Sequence, residues 1–330
     1  MRSVSHPTTR SQDFVVKPYP YYAEQKLVVQ SHIPPALISQ KELDRAHSHR
    51  GRLVDHPLKE CVRHPPLPGK DGSQTIELDI IREIRTGEKH SAQLVLLRYM
   101  ILSMGTLKSM APFMLQIVTI FECPAYSALK DLQGKTIPKF FGSFTLKLQA
   151  QFKEGIYPER FVRMILIESV QGRQMDNLDR SNLSQSQRQS IMKQIIDFET
   201  TICSRNMQHR DLYPRNVMVN WKNMHVTFID FAHVEVVNPD DHPSQSEEPF
   251  FAGSYVSPLL RWRSVTMREE PFVDWIDWDW DPWIEAVYTD TRNTITKAPK
   301  EYFERVLSSL EKLQMPKYVR RETTPEAPDL

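Results

Sequence analysis

The sequence predicts an α+β chain, with a sheet-rich first half followed by a mainly helical second half. Two observations carry this. Short apolar runs bounded by polar or turn residues, "TIELDIIREI", "QLVLLRYMI" and "FMLQIVTIF", follow one another from Thr75, the pattern of successive strands in an antiparallel sheet. Later, Ile191, Ile195, Phe198 and Ile202 recur at offsets of four, three and four, which places them on one face of a helix.

Residues 1–72 precede these patterns. They contain Pro-rich pieces, "HIPP" and "RHPPLPGKDGS", and six of the eleven histidines, with no sustained period, so they predict a poorly ordered arm. His47, His49, His56, His64 and Cys61 match no usual zinc spacing and read as loop residues. A sheet-rich unit is expected over 73–170. After the three strands, "ECPAYSALKDLQG" predicts a short helix closed by Gly134, and "IPKFFGSFTLKL" and "RFVRMILIESV" predict two more strands. A helical unit is expected over 171–315. Its long helix starts near Ser184, a capping candidate, and a second helix carries Phe303, Val306, Leu307, Leu310 and Leu313, with Pro299 in its first turn. Residues 316–330 form a flexible tail.

Composition narrows the function. The chain has 330 residues, 40% hydrophobic and 25% charged, enough for one large core or two modest lobes. A net charge of +1 gives no field for nucleic acid or an acidic membrane surface. Cys61, Cys123 and Cys203 are odd in number and outside any CxxC pattern, which points to reduced thiols in an intracellular protein of the cytoplasm or nucleus. No apolar run reaches the ~18–20 residues of a membrane span, and the start lacks a secretory core.

The chemistry lies in "HRDLYPRNVMVNW", residues 209–221, and in "VTFIDFAHV", two short strand candidates around a turn at 221–224. Phosphoryl transfer to a hydroxyl needs a carboxylate to orient and deprotonate the nucleophile, and oxygen ligands to hold Mg²⁺ against a triphosphate. Asp211, Asn216 and Asp230 supply such groups.

These residues resemble the eukaryotic protein-kinase-like superfamily, whose catalytic loop reads H-R-D-L-x-x-x-N and whose metal loop begins D-F-G. "ECPAYSALKDLQGKTIPKFFGSF", "MILIESVQGRQM" and "PFVDWIDWDWDPW" are similar to the divergent kinase-like domains common in fungal proteomes. The resemblance implies a two-lobed protein-kinase-like fold, a sheet-rich N-lobe and a helical C-lobe, that binds ATP and Mg²⁺. It makes Asp211 the catalytic base, Asn216 and Asp230 the metal ligands, and Arg210 a brace for the activation segment. Glu122 becomes the helix C glutamate, and Glu168 to Val170 the hinge whose backbone meets adenine. The lysine that serine/threonine kinases place two after the Asp is Tyr213, so the charge beside the transferred phosphate falls to Arg215.

The first lobe departs from the pattern. The phosphate-gripping lysine maps to Gln116 or, on the alternative strand, to Arg98, and the "RTGEKH" tip has one glycine. Only five residues separate Gln116 from Glu122, where a longer crossing is expected. No Ala-Pro-Glu follows, and Ala232 replaces the metal-loop glycine. Three readings therefore stand: phosphotransfer to a protein hydroxyl, a pseudokinase that binds without turnover, and a small-molecule kinase. The Asp274–Trp283 run reads as aromatic packing with solvated acids, and the loop with Ser244 and Ser246 as a solvated connection.

Overall fold

The computed structural model describes residues 21–34, 69–85, 93–103, 106–109, 113–117, 122–148, 151–152, 155–156, 160–236, 253–266 and 268–312. It mixes a curled antiparallel sheet with helices, as an α+β chain should. Two compact units divide it: Met1–Ala128 with Lys139–Ser169, and Leu129–Pro138 with Val170–Leu330.

The first unit contains β1 (Lys26–Ile33), β2 (Lys70–Arg85), β3 (Gln93–Ser103), β4 (Thr106–Ser109), β5 (Phe113–Ile117), helix α1 (Glu122–Ala128), β6 (Phe140–Leu148), the small β7 (Gln151–Phe152) and β8 (Gly155–Ile156) pair, and β9 (Arg160–Glu168). Its sheet runs β2-β1-β6-β9-β5-β3, and β2 also pairs with β3, so six antiparallel strands close into a ring, with β4 paired to the end of β3. Alternate residues fill the interior: Leu27 and Val29, Ile76, Leu78 and Ile80, Val95 and Leu97, Phe144 and Leu146, Val162, Met164 and Leu166. Closure leaves these six strands fewer open edges to aggregate.

The predicted arm needs correction here. Lys26–Ile33 is a strand, seated between β2 and β6, with Val29 opposite both Ile76 and Leu146. Its alternation is short and its partners are remote in sequence, so its strand character comes from tertiary pairing rather than from a local signal. The sheet also begins at Lys70, ahead of the expected 73. The histidines at 47, 49, 56 and 64, Cys61, the 86–92 tip and the Ser244–Ser246 loop lie outside the described residues.

Helix α1 packs on the outer face of the ring, where Tyr126 stacks on Phe140 at 5.1 Å. Cys123 hydrogen-bonds Ser143 there, and burial pushes its thiol up to about 11, so it stays protonated at neutral pH. The predicted single helix through 134 is instead α1, a 3₁₀ turn at Lys130–Leu132, and Gly134 at φ +70, whose N–H donates to Ile137.

The second unit contains β10 (Arg173–Gln174), α2 (Gln185–Cys203), β11 (Met207–His209), β12 (Val217–Asn220), β13 (His225–Phe228), β14 (Val234–Val236), α3 (Pro258–Arg261), α4 (Trp280–Val287) and α5 (Lys297–Lys312). Ser184 caps α2 through the N–H of Gln187, and the Gln187 side chain returns to the Ser184 N–H, a reciprocal capping box. Ile191, Ile195, Phe198 and Ile202 are buried, and Phe198 stacks on Phe228 of β13. Pro299 lies in the first turn of α5 and Phe303 is buried; the other side chains of that stripe lie outside the described residues.

Trp275, Trp278 and Trp280 are buried, and Trp280 contacts Trp262 and Trp283. Around them Asp274 pairs with Arg180, Asp277 with Arg188, and Asp281 caps Ser264, so the run is aromatic packing with exposed, partnered acids. Among the described residues no helix is long and apolar enough to cross a membrane.

Glu199, in the C-terminal part of α2, is the charged centre of this unit. It accepts from buried Arg261, from the Trp262 indole at 3.1 Å and from Arg268 at 3.5 Å. Burial alone would raise its carboxyl, yet Arg261 and Arg268 hold it below the ordinary value. Glu199→Ala removes the carboxylate to which Arg261, 2% exposed, donates. Removing one partner of a buried pair costs about 3–5 kcal/mol. Urea unfolding followed by tryptophan fluorescence should show a loss of this size, whereas a surface pair would show under about 1 kcal/mol.

Candidate active site

The "HRDLYPRN" loop starts where β11 ends. Pairing of β11 with β14 sets His209 opposite Val234 and buries its ring, and β12 resumes directly after Asn216. Pro214 opens a 3₁₀ turn, Pro214–Asn216, for which its fixed φ is already suited. Asn216 and Tyr213 close the loop, the Asn216 N–H donating to Tyr213 at 2.8 Å and the Tyr213 N–H to Asp211 at 3.0 Å.

Within this loop Asp211 is held on both oxygens. Arg215 pairs with Oδ1, and the Asn216 amide donates to Oδ2 at 2.7 Å and to the Asp211 carbonyl at 2.8 Å. Because Asn216 spends its N–H₂ on Asp211, its amide oxygen is the atom left for a cation. The Asn216 carbonyl accepts from the Ile229 N–H at 3.0 Å, which ties the loop to the start of the metal-loop sequence.

His209 makes the second tie. Its Nδ1 accepts from the Asp211 N–H at 3.3 Å, which leaves Nε2 as the protonated nitrogen that donates to the Ile229 carbonyl at 3.4 Å. Burial pushes its pKa below the ordinary 6.5, against the pull of the Ile229 carbonyl, Asp230 and Asp211. A neutral ring can both accept and donate in this way; an imidazolium cannot.

Asp230 stands next in the chain at φ 64, ψ 70, one of four described non-glycine residues with positive φ. That left-handed conformation is uncommon for a residue with a side chain, though Asp tolerates it better than most. Nothing among the described residues hydrogen-bonds its half-buried carboxylate. Because the positive φ falls on Asp230 and Ala232 lies in a 3₁₀ turn, alanine fits the third position without strain.

Arg210 donates from its backbone to His233 and from Nε to Glu235 at 2.6 Å, so it fastens the loop to β14, the segment that follows Asp230. Gly172, in the "MILIESVQGRQM" stretch, has φ +134, and a Cβ there would lie 2.5 Å from the Val219 carbonyl; the approach of this chain to β12 needs glycine. Neither Gln174, whose amide donates to the Arg215 carbonyl at 2.7 Å, nor Glu235 was legible as a site residue. Polar side chains in short elements carry no pattern of their own.

The structure thus brings together Asp211, Arg215 and Asn216, joins them to Asp230 through Ile229, and links Arg210 to Glu235. The other expected residues belong to the first unit, except Val170, which belongs to the second. Register sets Gln116 opposite Leu94 and Ile165; its side chain lies outside the described residues. Arg98 is exposed opposite Asp79. Glu122 is fully buried at the first position of α1. At Glu168 the N–H donates to the Lys139 carbonyl at 2.9 Å and the carboxylate accepts from the Lys139 N–H at 3.1 Å, so this residue ends the β6–β9 pairing.

No protein-family model matches the chain, and no curated protein matches it.

The neutral His209 sets a pH dependence. Its folded pKa is below the unfolded value, so its contribution to stability is present above about pH 6.5 and is lost as pH falls toward the folded pKa, where the ring must charge. Melting temperature measured from pH 7.5 to pH 5 should fall more steeply for the wild type than for His209→Gln. Parallel curves would remove His209 from the account.

Proposed function

We propose that this chain is an ATP- and Mg²⁺-dependent phosphotransferase of protein-kinase-like type, with a protein hydroxyl as acceptor, acting inside the cell. The observation that supports it best is the hydrogen-bonded unit in which His209 and Asn216 join the Asp211 loop to Ile229 and so to Asp230. A chance match to the H-R-D-x-x-x-x-N and D-F spacing would not also assemble these residues into one unit.

Mg²⁺ suits the donor set. It prefers carboxylate and amide oxygens, keeps several waters, and takes its remaining ligands from substrate phosphates. Asp230 offers a carboxylate that no described residue hydrogen-bonds, and Asn216 an amide oxygen, its N–H₂ being spent on Asp211. Among the described residues no group of three or more His, Cys, Asp and Glu side chains gathers, so two protein oxygens would be completed by phosphate and water. When bound, the ion would neutralise phosphate charge. Asp211, oriented by Asn216, is the group to accept the proton of the attacking hydroxyl. Arg215 supplies positive charge beside it. The chain order, a strand with position 116, a helix headed by Glu122, two longer strands, the 168–172 run and then the Asp211 loop, supports a two-lobed protein-kinase-like fold.

One observation favours a second reading, a nucleotide-binding module without turnover. Gln116 is neutral where a kinase grips the α- and β-phosphates with lysine. Transfer of labelled γ-phosphate to general protein acceptors, to small hydroxyl compounds and to water separates the readings. Phosphotransfer predicts measurable turnover that Asp211→Ala lowers by about 10²–10⁴. Full turnover in Asp211→Ala would contradict the assignment, and nucleotide binding with no transfer at all would leave the module reading.

A further inference from the structure

Tyr213 stands where the resemblance expects a lysine, yet its ring is 41% exposed and so is not held there by a need to fill the core. Its backbone is fixed from both sides by the hydrogen bonds to Asp211 and Asn216. The Arg215 guanidinium lies over the Tyr213 ring, 4.5 Å from its centre, while also pairing with Asp211. The Arg215 backbone is anchored separately by Gln174. The guanidinium is half exposed and has five donors, most of them unspent on Asp211.

We propose that Tyr213 is a positioning residue that shelves the Arg215 guanidinium as a seat for a terminal phosphate, an inference that rests on the phosphotransfer reading. The ring takes over the placing of positive charge that a lysine at position 213 would supply directly. Planar stacking suits arginine, and the fork geometry of the guanidinium suits phosphate oxygens. Arg215 pairs with Asp211 Oδ1 across this seat. When a phosphate engages Arg215, that oxygen is given up and can face the acceptor hydroxyl, so nucleotide arrival and exposure of the base become one event. No covalent bond changes in this exchange; one charge-assisted hydrogen bond replaces another.

The test compares Mg–ATP with Mg–ADP binding by calorimetry on the full chain, since only ATP carries the terminal phosphate. The wild type should prefer ATP. Arg215→Ala should reduce the ATP-to-ADP preference by about tenfold or more, the worth of a hydrogen bond to a charged group. Tyr213→Ala should reduce it about two- to fivefold, and Tyr213→Phe, which keeps the ring, should restore it. Unchanged ADP affinity in each variant shows that the fold and the rest of the site are intact. Equal loss in Tyr213→Phe and Tyr213→Ala, or an unaltered preference in Arg215→Ala, overturns the proposal while leaving the phosphotransfer reading standing. If the wild type binds neither nucleotide, both fall together.

Discussion

The candidate site depends on one buried imidazole. His209 accepts from Asp211 and donates to Ile229, so a single neutral ring fixes the spacing between the Asp211 loop and Ile229, the residue before Asp230. The ring is suited to the task because it has one donor and one acceptor on opposite edges, and because burial against Phe231 and the β11–β14 pair keeps it uncharged. Asn216 repeats the arrangement on the other side of the loop, with its N–H₂ on Asp211 and its carbonyl on Ile229.

The two units solve different problems to support their parts. In the first, a strand from the N-terminal region completes a ring of six, which fills its interior from alternate residues and frees the outer face of β6 and β9 for α1. In the second, α2 runs up to β11, so its burial carries through to His209. Its own position is set by Phe198 against Phe228 and by Glu199 against Arg261. Arg261 of α3 meets Glu199 of α2 in the interior of this unit. Buried pairs of this kind specify arrangement more than they add net stability.

Those parts of the second unit that were legible in the sequence, α2, α5, β12 and β13, have local signals. The Ser184 cap, the periodic apolar face of α2, and the turn between β12 and β13 each act within a few residues. The loop residues Asp211, Asn216 and Asp230 were legible through spacing. What escaped notice depends on distance in sequence: β1, whose partners lie in β2 and β6; the shelf formed by Tyr213 under Arg215; the Gln174 contact with Arg215; and Glu235 opposite Arg210. A strand of eight residues with a histidine at its buried face has too little alternation to declare itself until neighbouring strands supply hydrogen bonds and a core.

The central claim is that Asp230 and Asn216 bind metal and nucleotide as a unit, and thermal unfolding tests it most directly. A ligand at about 100 times its dissociation constant stabilises the folded state by about 2.7 kcal/mol, roughly 2–4 °C for a chain of this size. Mg²⁺ and ATP together should raise the melting temperature by that amount, more than the sum of either alone, and Asp230→Ala should abolish the excess. No shift in the wild type at millimolar Mg²⁺ and ATP, or an excess that survives Asp230→Ala, would contradict the account.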